Sequence, residues 1–214
     1  MIFNLSSQNT IANQFISELR DKDIQLDRGK FRKNMKRLGQ LMAYEISKKL
    51  DFKEQLVQGP LAASNIPLLA QHPVLLTVLR AGLPYLDGFL DYFDRSDCGF
   101  IGAYREEGSD EILIHLDYVA VPVVNERIVI LVDPMLATGK SIIRSVETLL
   151  KRGQPSHIFI AALVAAPEGI HYIKENLNVP FSIYTCAIDE NLNDQFYIVP
   201  GLGDAGDLSF GLKM

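Results

Sequence analysis

The residues of this 214-residue chain with the most chemistry in them stand directly behind short apolar runs. TVL is followed by Arg80, Ala81 and Gly82, and GAY by Arg105 and two glutamates. ILV is followed by Asp133, Pro134, Met135, Leu136, Ala137, Thr138, Gly139, Lys140 and Ser141. A guanidinium offers a rigid fork of donors that fits phosphate oxygens in pairs. If residues 133–141 join a strand to a helix, the amides of residues 138–141 lie at the helix's positive end, where an anion is favoured. Gly139 then allows close backbone approach, Thr138 and Ser141 supply hydroxyls, and Asp133 can accept hydrogen bonds from sugar hydroxyls. Read this way, the set suits a phosphorylated sugar. The same loop would equally make an ordinary capped connection with Ser or Thr as the cap, and each arginine could sit in a surface ion pair.

The elements needed to position these residues are legible from texture. VLLTVL, CGFIGAY, RIVILV, HIFIAALV and FSIYTCAI are short continuous apolar runs bounded by charge, Gly or Pro, which is how strands buried on both faces read. Helix-like stretches at residues 141–152 and 168–177 lie between several of them, so the expected fold is α/β, with a central, mainly parallel sheet flanked by helices. Residues 30–50 place Phe31, Met35, Leu38, Met42 and Ile46 at helical spacing among lysines and arginines, an amphipathic helix with a buried stripe and a solvated face. In such sheets ligands bind beyond the carboxyl ends of the strands, where Arg80, Arg105 and residues 133–141 all fall. Residues 105–125, acidic and Gly-containing before an alternating stretch, suggest a mobile hairpin or flap. Two other phosphate motifs fail. Gly139-Lys140-Ser141 ends like a P-loop, but Pro134 stands where that loop needs glycine. Gly201-Leu202-Gly203-Asp204-Ala205-Gly206 matches GxGxxG, but only a short tail follows, and the expectation is that no helix or βαβ unit succeeds it.

The totals narrow the function classes. A formal charge of −5 opposes broad nucleic-acid binding, which needs a Lys/Arg surplus. Cys98 and Cys186 form no CxxC pair, and His72, His115, His157 and His171 show no metal-ligand spacing with them. The opening MIFNLSSQNTIANQF has neither a basic start nor an apolar core, so no signal peptide is expected. No uncharged apolar run reaches the ~20 residues of a membrane span. A soluble, cytoplasmic protein of one domain over residues 1–214 is the expectation, with no nucleic-acid or membrane partner.

Five segments in order then carry a resemblance: LRAG at 79–82, YR at 104–105, VDPMLATG at 132–139, LVAAPEGI at 163–170 and YIVPGLGDAGD at 197–207. With them the chain resembles the type I phosphoribosyltransferases, and among these the uracil phosphoribosyltransferases. The resemblance implies a type I phosphoribosyltransferase fold with a flexible flap and a C-terminal base-binding segment. It implies conversion of uracil and phosphoribosyl pyrophosphate (PRPP) to UMP and pyrophosphate. By resemblance, residues 137–141 hold the 5′-phosphate, Asp133 the ribose hydroxyls, and Arg80 with Arg105 the pyrophosphate. Pro134, Met135 and Leu136 complete the PRPP loop. Ile198, Gly203, Asp204 and Ala205 surround uracil, with Asp204 also reaching PRPP. Mg²⁺ arrives with PRPP, and no residue is assigned as its ligand. Homo-oligomers, often dimers, and a GTP effector are further implications. Lys140 stands where the family usually has a second glycine, and residues after Asp207 depart from its usual tail. A regulator that binds UMP or PRPP without turnover, and a transferase for another base, are the competing readings.

Overall fold

The computed structural model describes residues 1–105 and 114–212. Strand β1 (Ile2–Asn4) leads into helices α1 (Ala12–Arg20) and α2 (Arg28–Ser47), then a hairpin of β2 (Phe52–Gln58) and β3 (Ala63–Leu69). Next come β4 (Val74–Leu79), α3 (Leu83–Leu90), β5 (Cys98–Arg105), β6 (Ile114–Ala120), β7 (Ile128–Val132) and the two-residue β8 (Met135–Leu136). Helix α4 (Lys140–Leu150), β9 (His157–Ala165), α5 (Pro167–Asn176) and β10 (Phe181–Ile188) follow. Short strands β11 (Asn191–Leu192) and β12 (Ile198–Val199) and helix α6 (Ala205–Phe210) complete it.

The main sheet has the order β1-β10-β9-β7-β4-β5-β6, with β8 paired to β9. Every pairing in it is parallel except β5 with β6, an antiparallel pair. All five apolar runs are strands of this sheet, and alternation within them explains their continuous hydrophobicity. Leu75, Ile130, Val132, Phe159, Ala161 and Tyr184 face a core built with α1, α2 and α3. Val74, Leu76, Val129, Leu131, Ile158 and Ile160 face a second core built with α4 and α5. The stripe of α2 is buried as its spacing demands, and Asp27 caps the helix by accepting from the Lys30 amide at 3.0 Å. Burying a side chain the size of Phe31 or Met42 contributes about 1.5–3 kcal/mol.

The structure departs from the sequence reading in two places. A helix does start at the end of GLGDAG: α6 is six residues long and begins at Ala205, started by the Asp204 side chain, which accepts from the amides of Gly206 and Asp207. Two amides satisfied by one carboxylate are enough to start so short a helix, yet among the described residues no strand succeeds it, as a Rossmann unit would need. The hairpin β2–β3 was not legible, because Phe52, Leu56, Ile66 and Leu68 alternate toward solvent instead of a core and Leu61 at its turn is 97% exposed. The expected flap is an antiparallel β5–β6 pair, whose connection at residues 106–113 lies outside the described residues, so its mobility is left as an expectation. No helix among the described residues is long and apolar enough to cross a membrane.

Candidate active site

The connection after β4 runs to β5 on one side of the sheet, and the connection after β7 runs to β9 on the other. Between β4 and β7, therefore, two loops diverge and leave a crevice at the strands' carboxyl ends, the position where open α/β sheets take ligands. Thr77 stitches the crevice floor: its buried hydroxyl donates to the Val132 carbonyl at 2.8 Å. Arg80 leaves the first loop and Asp133 opens the second.

Residues 133–139 are held from below. The Pro134 carbonyl accepts from the amides of Leu163 and Val164, and the Leu136 carbonyl from that of Ala166, so the loop lies along the end of β9 through β8. The Asp133 side chain is buried to 8% exposure, and its Oδ1 accepts from the Met135 amide at 3.3 Å. Gly139 turns the chain into α4 with φ of 77°, a left-handed conformation that glycine adopts without strain. A Cβ there would meet the Gly169 carbonyl at 2.9 Å. Gly169 in turn packs its backbone on the Ala137 carbonyl, leaving no room for a side chain. The motif at 163–170 therefore works as the seat of the loop, a role its residue types did not reveal. The first amides of α4 have no acceptor within the helix. Thr138 Oγ1 accepts that of Lys140 at 3.4 Å.

The C-terminal segment closes the other side. Arg80, 40% exposed, donates through Nη2 to Asp207 Oδ1 at 3.1 Å and to the Gly211 carbonyl at 3.2 Å. A Cβ built on Gly206 would lie 3.9 Å from that of Ala81, which sets α6 directly against the loop after β4. Ile198 and Ala205 are buried, at 4% and 2% exposure, within the core shared with α1–α3. What they offer a ligand is backbone, as Gly203 does with φ of 85°. A cavity of about 580 Å³ lies between the phosphate-type loop and the β11–β12 hairpin, lined by Thr138, Lys140, Glu168, Tyr172, Asn193, Asp194 and Phe196 among others. Glu168 anchors the hairpin by accepting from the Leu192 amide at 2.9 Å. Arg105 ends β5, parallel to β4 and so on the same rim, and its side chain lies outside the described residues. The structure thus brings Arg80, Asp133, residues 134–141 and residues 203–207 together.

Neither thiol is arranged as a nucleophile. Burial pushes Cys186 up to about 12, against the Tyr85 hydroxyl, and burial with the neighbouring Asp97 charge also raises Cys98.

A family model described as uracil phosphoribosyltransferase matches residues 6–211. The chain belongs to this family. A uracil phosphoribosyltransferase of Porphyromonas gingivalis is 41% identical over 214 residues, covering 100% of this chain and 99% of that protein. The solved structure of the AQ2163 protein from Aquifex aeolicus is similar over 100% of both chains, with a TM-score of 0.89 and 31% identity. A hypoxanthine phosphoribosyltransferase from Staphylococcus aureus shares the fold over 75% of this chain and 76% of its own, with a TM-score of 0.51 and 12% identity. Of the five family-like segments, four meet around the crevice through the contacts above, and the fifth ends on the neighbouring strand.

Proposed function

We propose that this chain transfers the phosphoribosyl group of PRPP to N1 of uracil, releasing pyrophosphate and forming UMP. The observation carrying this reading is the crevice between β4 and β7, where the loop that leads into α4, a buried aspartate and an arginine meet the glycine-rich C-terminal segment. PRPP needs anion donors at both ends and hydroxyl acceptors between them. The amides and hydroxyls of residues 137–141 hold the 5′-phosphate, and Asp133 accepts from the ribose hydroxyls. Arg80 and Arg105 take the pyrophosphate, for which Arg80 exchanges its contacts to Asp207 and the Gly211 carbonyl. Backbone groups of Ile198, Gly203, Asp204 and Ala205 read the alternating donors and acceptors of uracil. The C1′–O bond to pyrophosphate breaks as the C1′–N1 bond forms, and the N1 proton of uracil passes to water or to the departing pyrophosphate. Cationic character on the ribose and charge on the leaving group make positioning and electrostatics the main sources of acceleration.

Mg²⁺ belongs to the proposal as a companion of PRPP, and when bound it neutralises leaving-group charge. Such an ion is carried on the substrate's own oxygens and water, since Mg²⁺ rarely needs a full protein cage. A homodimer, GTP as an effector and a cytoplasmic setting complete the reading. For the dimer, the apolar side chains that β2–β3 exposes supply a face for a second copy, since a lone two-stranded hairpin is marginal in water. For the setting, both cysteines are free thiols.

The test is Mg²⁺- and PRPP-dependent formation of UMP, with cytosine, hypoxanthine and orotate as competitors and with or without GTP. Uracil-selective turnover that collapses in Asp133→Asn supports the assignment. UMP binding without turnover would replace it by a nucleotide sensor.

A further inference from the structure

Outside the crevice, one charged cluster is better built than any surface pair. Arg20, the last residue of α1, meets Asp189, the residue after β10, in a two-pronged ion pair: Nη1 to Oδ2 at 3.0 Å and Nη2 to Oδ1 at 2.5 Å. Both side chains are mostly withdrawn from solvent, the carboxylate almost wholly. The pair also grips one residue of the C-terminal segment by both its backbone N–H and its backbone C=O. Asp189 Oδ2 accepts from the Gly201 amide at 2.9 Å, and Arg20 Nη1 donates to the Gly201 carbonyl at 3.1 Å. Gly201 has φ of 60°, and a Cβ there would collide with the Ile198 carbonyl, so the chain makes a tight turn at this point.

We infer that Arg20 and Asp189 are positioning residues for base recognition: they fix the turn at Gly201 and thereby set the backbone of residues 198–205 that faces uracil. This rests on the uracil-transfer reading above. Gly201 lies between Ile198 and Gly203, so an error in its orientation propagates directly into the groups that would contact the base. Neighbouring contacts act in the same sense. The Gln25 amide, oriented to donate, reaches the carbonyls of Leu202 and Leu19 at 3.0 Å each, and Arg32 donates to the Ser209 carbonyl at 2.6 Å. The α1–α2 layer thus grips the segment at several carbonyls, and Arg20 with Asp189 holds both the N–H and the C=O of Gly201. A lysine cannot reproduce this, because its point charge lacks the planar fork that serves two carboxylate oxygens and a carbonyl together. Removing either charge leaves the other buried and unpaired.

Arg20→Lys and Asp189→Asn test this in the full-length chain, by steady-state kinetics in uracil and PRPP separately, with thermal unfolding in parallel. KM for uracil is expected to rise about 10- to 100-fold, the scale of an ångström-level misplacement, while KM for PRPP stays within about two-fold, since residues 133–141 are seated on β9 and α5 instead. A merely structural pair would lower the melting temperature and the active fraction with KM for uracil unchanged, and that result overturns the inference. If the unmodified chain makes no UMP, the functional reading fails by itself. In that case, or if the variants do not fold, amide exchange of Gly201 in the unmodified chain decides: exchange as slow as in β10 supports the clamp, and exchange as fast as an exposed loop refutes it.

Discussion

Replacing Gly139 by alanine probes whether the turn into α4 is where a phosphate is held. Two costs can be worked from the geometry. An L-residue at φ of 77° is in the left-handed region, which costs roughly 1–2 kcal/mol. The new Cβ would stand 2.9 Å from the Gly169 carbonyl and 3.2 Å from Ile173 Cγ1. Ordinary contact begins near 3.4 Å, so the loop or the start of α5 must yield by about half an ångström, an overpacking cost of about 1 kcal/mol. Together these give about 2–3 kcal/mol, or roughly 5–10 °C in melting temperature for a domain of this size. Half an ångström of displacement at the phosphate amides should also lower kcat/KM for PRPP about ten-fold. Gly153→Ala is the matched control. Gly153 also has positive φ, its Cβ would meet the Asn125 amide nitrogen at 2.8 Å, and its turn lies at the far end of α4. The control should lose comparable stability with unchanged kinetics. Unfolding curves and UMP formation at varied PRPP measure both. If Gly139→Ala loses stability but keeps wild-type kinetics for PRPP, the loop is not the phosphate cradle and the site assignment falls.

Lys140→Ala removes the cation that lines the cavity beside Thr138. KM for PRPP should rise about three- to five-fold, less at high salt, with KM for uracil unchanged, as expected for a partly solvated charge worth up to ~1 kcal/mol. In native protein at pH 8, a thiol reagent should titrate Cys98 slowly and leave Cys186 unmodified, with both reacting in denaturant, because Cys186 is fully buried and held at about 12. Burial lowers the pKa of His157, whose Nε2 lies 3.0 Å from Ser182 Oγ. A depressed folded value favours the neutral ring in the native state, so its contribution is present above the ordinary value of 6.5 and is lost as pH falls through the folded one. His157→Gln should flatten this acid limb of a stability-against-pH curve, and an unaltered limb would assign the loss to carboxylates.

Sequence texture reached the sheet's interior and stopped at its margins. β4, β7, β9 and β10 are packed on both faces, and burial on both faces writes itself as continuous apolar runs. β1, β8, β11 and β12 are two or three residues long, too short for any period to register. The site's local part, residues 133–141, was legible because loop, cap and helix share one stretch of chain. Thr77, Gly169, Arg20 and Asp189 were not, because what gives each its part is a partner distant along the chain: Thr77 binds a carbonyl 55 residues away and Arg20 a carboxylate 169 residues away.

That separation governs when the site exists during synthesis. Arg20 and the carbonyl it holds are 181 residues apart, and among the described residues β1 pairs only with β10. At about 5–20 residues per second, a ribosome needs roughly 10–35 s to join the two ends of this contact. For that interval the first strand lacks the strand it will pair with, although α1 can already pack on α2. The central strands can pair earlier, so the nascent chain passes through a state with a sheet but no base pocket. On the reading proposed above, synthesis of residues 189–207 is then what converts a folded core into a ligand-competent protein.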